Sequence, residues 1–194
     1  MGETVMKRFL VTAAILGLGV IVYIPKSNAN PLVNTNEIKL VKDSNLNSTK
    51  TASSWQEFTP DGFNISVLFP DENDSTTSKS GNEGFLLNLR ATILRESGYI
   101  FGYGKFKVDI SQLEPNILLD SYISGRAAKD VELVDKKEIK LEKYLGKEYQ
   151  LRYKDGIISK GRIYLVGQNM YAFEVVNPQN PEAETFFNSI KLVK

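Results

Sequence analysis

Any reaction this chain performs has to use carboxylates, hydroxyls, lysines or arginines, because its 194 residues include no histidine and no cysteine. The commonest general base and the commonest zinc ligand are therefore missing. Ser-His-Asp and Cys-His catalysis, thiolate nucleophiles and disulfides are excluded. Few stretches remain. Asp71–Ser75, "DENDS", offers oxygen ligands for calcium. An EF-hand reading, however, puts Thr76 where glycine is required and Asn82 where a bidentate glutamate is required, so a solvated loop is the better reading. Residues 102–105, "GYGK", resemble a phosphate-cradling loop but lack a Gly-Lys-Ser/Thr sequence and a following helix. They read as glycines that ease a strand past bulky rings. Glu182 and Glu184 form a carboxylate pair, and such a pair can hydrolyse a glycoside without histidine. Their place at a helix start explains them better, since acids there suit the helix dipole. Residues 135–143, "DKKEIKLEK", carry both signs, as a solvated strand face does and a nucleic-acid patch does not. Asn47, Asn64 and Asn73 begin N-x-S/T sequons, which matter only in a eukaryotic secretory pathway. No catalytic, cofactor-binding or metal residue is assigned, no cofactor is expected, and the domain reads as non-enzymatic.

Residues 161–176, "GRIYLVGQNMYAFEVV", place two aromatic-rich arms around a Gly-Gln-Asn break, with Arg162 on one arm and Glu174 on the other. Register decides what each residue faces. A two-residue loop, Gly167-Gln168, sets Ile163 against Ala172 and Arg162 against Phe173. A three-residue loop that includes Asn169 sets Ile163 against Phe173, Leu165 against Tyr171 and Arg162 against Glu174. The second gives one uniformly apolar face and an opposite-charge pair, and Asn169 tolerates a left-handed backbone. It is the register expected here. Tyr171 and Phe173 then belong to the core. Because Tyr164, Val166, Met170, Ala172 and Val176 make the other face apolar too, the pair should be central and covered on both sides. At Asp155-Gly156, a strict two-residue turn would lay Gln150 and Arg152 on the Ile163 face. A bulge or a longer loop would avoid that, and the sequence leaves both open.

These strands must be held by the rest of the chain. Residues 1–29 read as a signal peptide: basic Lys7 and Arg8, an uncharged stretch from Phe9 to Ile24, then Ser27-Asn28-Ala29 with small residues where a signal peptidase reads. Cleavage after Ala29 is expected; the alternative is an uncleaved anchor, for which sixteen residues are short of the ~20 that a span needs. Cleavage removes Lys7, Arg8, Lys26 and Glu3 and turns the net charge from +1 to −1. Neither value suits nucleic acid or anionic lipid. Residues 30–54 are rich in Asn, Ser, Thr and Lys and free of aromatics, a flexible polar linker. From Trp55 onward, alternation predicts strands near 55–58, 63–69, 85–96 and 98–110, with a polar loop over 71–84. Helical spacing follows Pro115, over about 115–129. Strands return over 131–144, 146–154 and the two arms of 161–176. A second helix follows Pro181 with Asn180 as its cap, and residues 190–194 end the chain as a short strand. Four strands, a helix, four strands and a helix imply an α+β domain over 55–194, with a mostly antiparallel sheet and packed helices.

Three segments carry a resemblance: "WQEFTPDGFNISVLFP" (55–70), "LGKEYQLRYKDGIISKGRIYLVGQNMYAFEVV" (145–176) and "AETFFNSIKLV" (183–193). They resemble a family of small exported proteins frequent in cyanobacterial genomes, distantly similar to PsbP-like domains. The best-known PsbP-like proteins attach to photosystem II on the lumenal side. The resemblance implies an α/β/α sandwich with helices on both faces of the sheet. It supplies no catalytic motif, and the lipid-attachment cysteine of some cyanobacterial members has no counterpart here. The expectation is an exported accessory or binding domain in the periplasm, cell envelope or thylakoid lumen, with a protein partner or small ligand. It would touch a membrane only through residues 9–24 if these were retained. A membrane-tethered structural protein and a carboxylate-based hydrolase are the alternatives.

Overall fold

The computed structural model describes residues 10–15, 18–23, 55–70, 76–81, 85–94, 96–127, 130–178 and 181–194. Part of the uncharged N-terminal stretch forms a small antiparallel hairpin, β1 (Leu10–Ile15) with β2 (Leu18–Tyr23). No helix among the described residues is long and apolar enough to cross a membrane. The elements that follow are β3 (Trp55–Phe58), β4 (Ile65–Pro70), β5 (Thr76–Gly81), β6 (Phe85–Leu94), β7 (Ser97–Phe106) and α1 (Pro115–Arg126). Then come β8 (Val131–Leu141), β9 (Tyr144–Tyr153), β10 (Ile158–Val166), β11 (Asn169–Val176), α2 (Glu182–Asn188) and β12 (Lys191–Leu192).

Seven strands form one sheet in the order β5-β6-β7-β11-β10-β9-β8, and three form a second in the order β12-β4-β3. Every described strand pair is antiparallel. The mostly antiparallel α+β expectation is met. From Trp55 onward one element was not foreseen: β5 lies within residues 71–84, read from sequence as a loop. Its sequence, TTSKSG, pairs with β6 on one side only. An edge strand has no second neighbour demanding apolar side chains, so alternation gives no signal. The "DENDS" segment and Asn82 lie outside the described residues, as do Asn47, Asn73, Asn180 and the linker. Helix α1 begins at Pro115 as the sequence indicates and ends at Arg126, three residues before the expected end. Ala127 closes it by donating its N–H to the Ile123 carbonyl at 2.9 Å.

Two apolar clusters lie on the alternating faces of the central strands. One holds Ile163, Leu165, Met170, Ala172, Tyr149 and Leu151 with Leu119, Tyr122 and Ile123 of α1. The other holds Tyr164, Val166, Tyr171, Phe173, Tyr99 and Phe101. It is closed by Ile65, Val67 and Phe69 of β4 and Ala183, Phe186 and Phe187 of α2. Cover on this second side thus comes from the small sheet as well as a helix. Rings fill it: Phe101 stacks on Phe173 at 4.6 Å, and Phe186 meets Phe173 edge-on at 6.0 Å.

The β10–β11 pair is central, but its register differs from the expected one. Ile163 faces Ala172, Tyr164 faces Tyr171 and Arg162 faces Phe173. The loop is the two-residue Gly167-Gln168. Gly167 takes the positive φ, 59°, at the first central position, where a II′ turn wants glycine. Asn169 is a strand residue opposite Val166. Tyr171 and Phe173 are core as expected, though on the Tyr164 face rather than the Ile163 face. At the next turn the longer loop applies. Lys154-Asp155-Gly156 connects β9 to β10, the Tyr153 N–H donates to the Ile157 carbonyl at 2.8 Å, and Gly156 has φ 83°. This puts Tyr149 and Leu151, not Gln150 and Arg152, on the Ile163 face.

Candidate functional site

With Ile163 opposite Ala172, Arg162 and Glu174 fall on opposite sides of the sheet, so the expected pair between them does not form. Each finds another partner. Glu174 points toward α1, where Arg126 of the last helical turn meets it. Arg126 Nη2 donates to Oε1 and Oε2 at 2.7 Å each, and Nε donates to Oε2 at 3.2 Å. Both residues are only 3% exposed. Tyr149 donates its hydroxyl proton to Glu174 Oε2 at 3.1 Å, and Tyr153 donates to Oε1 at 3.2 Å. Arg126 Nη2 also donates to the Tyr153 hydroxyl at 3.1 Å. Burial disfavours the charged guanidinium, but the Glu174 carboxylate together with the Tyr153, Tyr122 and Tyr149 hydroxyls outweighs it, and the Arg126 pKa stands well above its ordinary value. Burial pushes the Tyr122 hydroxyl up to about 12, and it raises Tyr149 and Tyr153 as well. These tyrosines are neutral donors, not bases.

A second ionic cluster lies on the other face. Arg162 Nε donates to Glu148 Oε2 at 2.8 Å, and Arg162 Nη1 donates to the Phe187 carbonyl near the end of α2 at 3.1 Å. Its guanidinium lies 5.0 Å from the Phe187 ring centre. Lys137 reaches Glu148 at 2.9 Å, and Lys160 reaches Glu184 at 3.2 Å. Burial raises the Glu148 pKa, but the hydrogen bonds from Arg162 and Lys137 and the charges of Arg162 and Lys160 together outweigh it, and the net direction is down. At the α1 end, Asp120 takes Lys136 at 2.7 Å and Lys147 at 2.8 Å, and those two hydrogen bonds lower its pKa. Lys147 and Glu148 are neighbours in β9 whose side chains leave by opposite faces, one toward α1 and the other toward α2.

The sequence candidates land as follows. Gly102 and Gly104 are inside β7. A side chain at Gly102 would press on Leu87 and Leu89, and one at Gly104 would meet the Leu86 carbonyl and the Phe85 ring. They are packing glycines. Glu182 and Glu184 occupy the first turn of α2, whose N-cap position is Pro181. Residues 135–143 are largely exposed along β8 and its turn. Asn64 accepts a hydrogen bond from the Tyr171 hydroxyl at 2.7 Å. Sequence reasoning missed Arg126, Glu148, Tyr149 and Tyr153. Arg126 is the only basic residue in the last turn of α1, and that was the available signal.

The described residues line, among others, two shallow depressions. One, of about 290 Å³, is lined by Glu57, Ser66, Leu68, Asn188, Ser189 and Lys191. The Ser66 hydroxyl donates to Glu57 Oε1 at 2.6 Å, and Lys191 pairs with Glu57 at 2.9 Å. The other, of about 420 Å³, lies over Tyr153 between two salt-bridged pairs, Arg152–Glu132 at 3.0 Å and Lys154–Asp130 at 3.5 Å. In both, the charged groups already neutralise one another.

No family model matches the chain, and no curated protein matches it. Among solved structures it is similar to the solution structure of cyanobacterial PsbP (CyanoP) from Synechocystis sp. PCC 6803. Identity is 10%, the TM-score is 0.49, and the match covers 76% of this chain and 98% of that one. The sequence resemblance points to the same group. Strand order and register, not this likeness, define the fold described above.

Proposed function

We propose that this chain is an exported, non-enzymatic accessory domain that works by contact with a protein partner in the periplasm, cell envelope or thylakoid lumen. One observation carries the reading: the buried carboxylates Glu174 and Glu148 and the half-buried Asp120 are spent on fixing helices to the sheet. Glu174 holds α1 through Arg126, Glu148 holds α2 through Arg162, and Asp120 ties α1 to β8 and β9. A hydrolase would need a carboxylate kept available for a substrate proton. The signal-like residues 1–29, the linker 30–54 and the sequence resemblance to PsbP-like domains support export and an accessory role. With this reading goes a layered architecture, one helix against each face of the central sheet, as the two apolar clusters suggest. Cell fractionation with N-terminal sequencing tests export; the expected mature start is Asn30, in an extracytoplasmic fraction. Chemical cross-linking on isolated membranes tests the partner. Reproducible capture of the same protein supports the reading, and a cytoplasmic, partnerless chain overturns it. A start at Met1 with tight membrane retention would favour the tethered alternative.

A further inference from the structure

Arg90 on β6 stands apart from the other arginines described. Arg126, Arg152 and Arg162 each hold a carboxylate: Glu174, Glu132 and Glu148. Arg90 has no ion pair or hydrogen bond among the described residues, and its Nε is buried without an acceptor. The guanidinium instead lies on two rings, 4.4 Å from the centre of Phe58 and 5.1 Å from that of Phe69. Both rings come from the small sheet. Stacking fixes the plane of the guanidinium and, with Nε buried, leaves its Nη1 and Nη2 donors as the reactive edge. Thr92, two residues along on the same face, also buries its hydroxyl oxygen without a partner. Across the ladder, Arg90 faces Thr77, and Lys79 is one step further on the same face, opposite Asn88. Thr77 and Lys79 are both exposed. A part-exposed arginine, an exposed lysine and two threonines therefore line one stretch of the β5–β6 face. Buried donors in folded proteins nearly always find acceptors.

We infer that Arg90, supported by Lys79, is a recognition point for a carboxylate on an acidic segment of a partner protein. The inference rests on the accessory reading above and names the chemistry of its contact. A guanidinium fork held in one plane matches a carboxylate with two parallel hydrogen bonds. A phosphate cradle would draw on several backbone N–H groups or a helix N-terminus, and β5 and β6 supply neither here. The site is a sheet face rather than an enclosed cavity, which suits a side chain presented by another protein.

The test is a ¹H–¹⁵N titration of the labelled protein with the peptide acetyl-Glu-Glu-amide, following the Arg90 Nε–H signal and the Thr77 and Lys79 amides. Saturable displacement of these signals is expected. Binding should weaken at least tenfold in Arg90→Lys, which keeps the charge and loses the fork, and vanish in Arg90→Gln. Displacement that is linear, or reproduced by sodium chloride at matched ionic strength, overturns the site. So does inorganic phosphate binding where the peptide does not, or unchanged peptide binding in Arg90→Lys. Should Arg90→Gln fail to fold, Arg90→Lys decides alone. If the site fails while membrane cross-linking still captures a reproducible partner, this inference falls and the accessory reading stands.

Discussion

Glu174 accepts hydrogen bonds from Arg126, Tyr149 and Tyr153 while only 3% exposed. Removing one member of such a buried pair leaves the other charge desolvated and unpaired, which costs about 3–5 kcal/mol. Glu174→Ala should therefore lose about that much stability in urea unfolding, and the double change Arg126→Met with Glu174→Leu should recover most of it. A single variant within 1 kcal/mol of the parent would show the pair to be energetically idle. The tyrosines add a pH dependence. Tyr122 is raised from 10.0 to about 12 by burial. Its folded state therefore holds the proton that the unfolded chain releases, so its stabilisation is complete below pH 10 and disappears as pH rises toward 12. That is on the order of 2–3 kcal/mol from this group. Thermal melts should fall steeply above pH 10, and Tyr122→Phe should flatten the fall. None of the three partners of Glu174 was legible as such from sequence. Arg162 and Glu174 stand on adjacent arms with opposite charges, and pairing them is what favours the three-residue register expected from sequence, which the hairpin does not adopt. Only the turn separates the two registers, and a positive φ at Gly167 rather than at Asn169 reverses which face each residue meets. Arg126 lies 48 positions from Glu174, a distance over which spacing carries no information.

Strands β9 and β10 show why particular glycines are needed. Tyr149 faces Gly161 across the ladder, and Tyr164 faces Gly146, on opposite faces of the pair. A side-chain carbon at Gly161 would sit inside the Tyr149 ring, and one at Gly146 inside the Tyr164 ring. Each ring lies across a glycine. Gly161→Ala should displace Tyr149 from Glu174 and cost about 1–3 kcal/mol as overpacking. The added Tyr149→Ala change should cost less in this background than in the parent, because the clash has gone. Additive losses in a double-mutant cycle would contradict the coupling. Strand β8 ends the seven-stranded sheet and is blunted by Lys136, Lys137 and Lys140, and by a register shift between Leu133 and Asp135. Both devices discourage pairing with another chain. Most elements were legible because alternation and Pro115 are local signals. The polar edge strand β5 was not, since its only reason to be a strand is its neighbour β6.

The whole molecule is closed by its last residues. Strand β12 pairs Lys191 with Ser66 and Leu192 with Ile65, and the Val193 N–H donates to the Asn64 carbonyl at 3.1 Å. Lys191 also meets Glu57 of β3 at 2.9 Å. Nearby, Ser189 accepts the Leu68 N–H at 2.9 Å and donates to the Phe186 carbonyl at 2.7 Å. The C-terminus therefore clasps the first strands of the domain and the end of α2 together, over the cluster built on Phe69, Phe101 and Phe173. The other cluster, around α1, makes no use of β12. Truncation after Ile190 removes one strand pairing, one exposed ion pair and the part-buried Leu192. A loss of about 1–3 kcal/mol is expected, or a fall in Tm of roughly 3–12 °C for a domain of this size. Hydrogen exchange should locate it: amides of β3, β4 and α2 should exchange faster, while those of β9, β10 and β11 should change little. Equal acceleration in all of these strands would mean that the two clusters unfold as one unit, and that the C-terminal strand stabilises the fold globally rather than clasping one side of it.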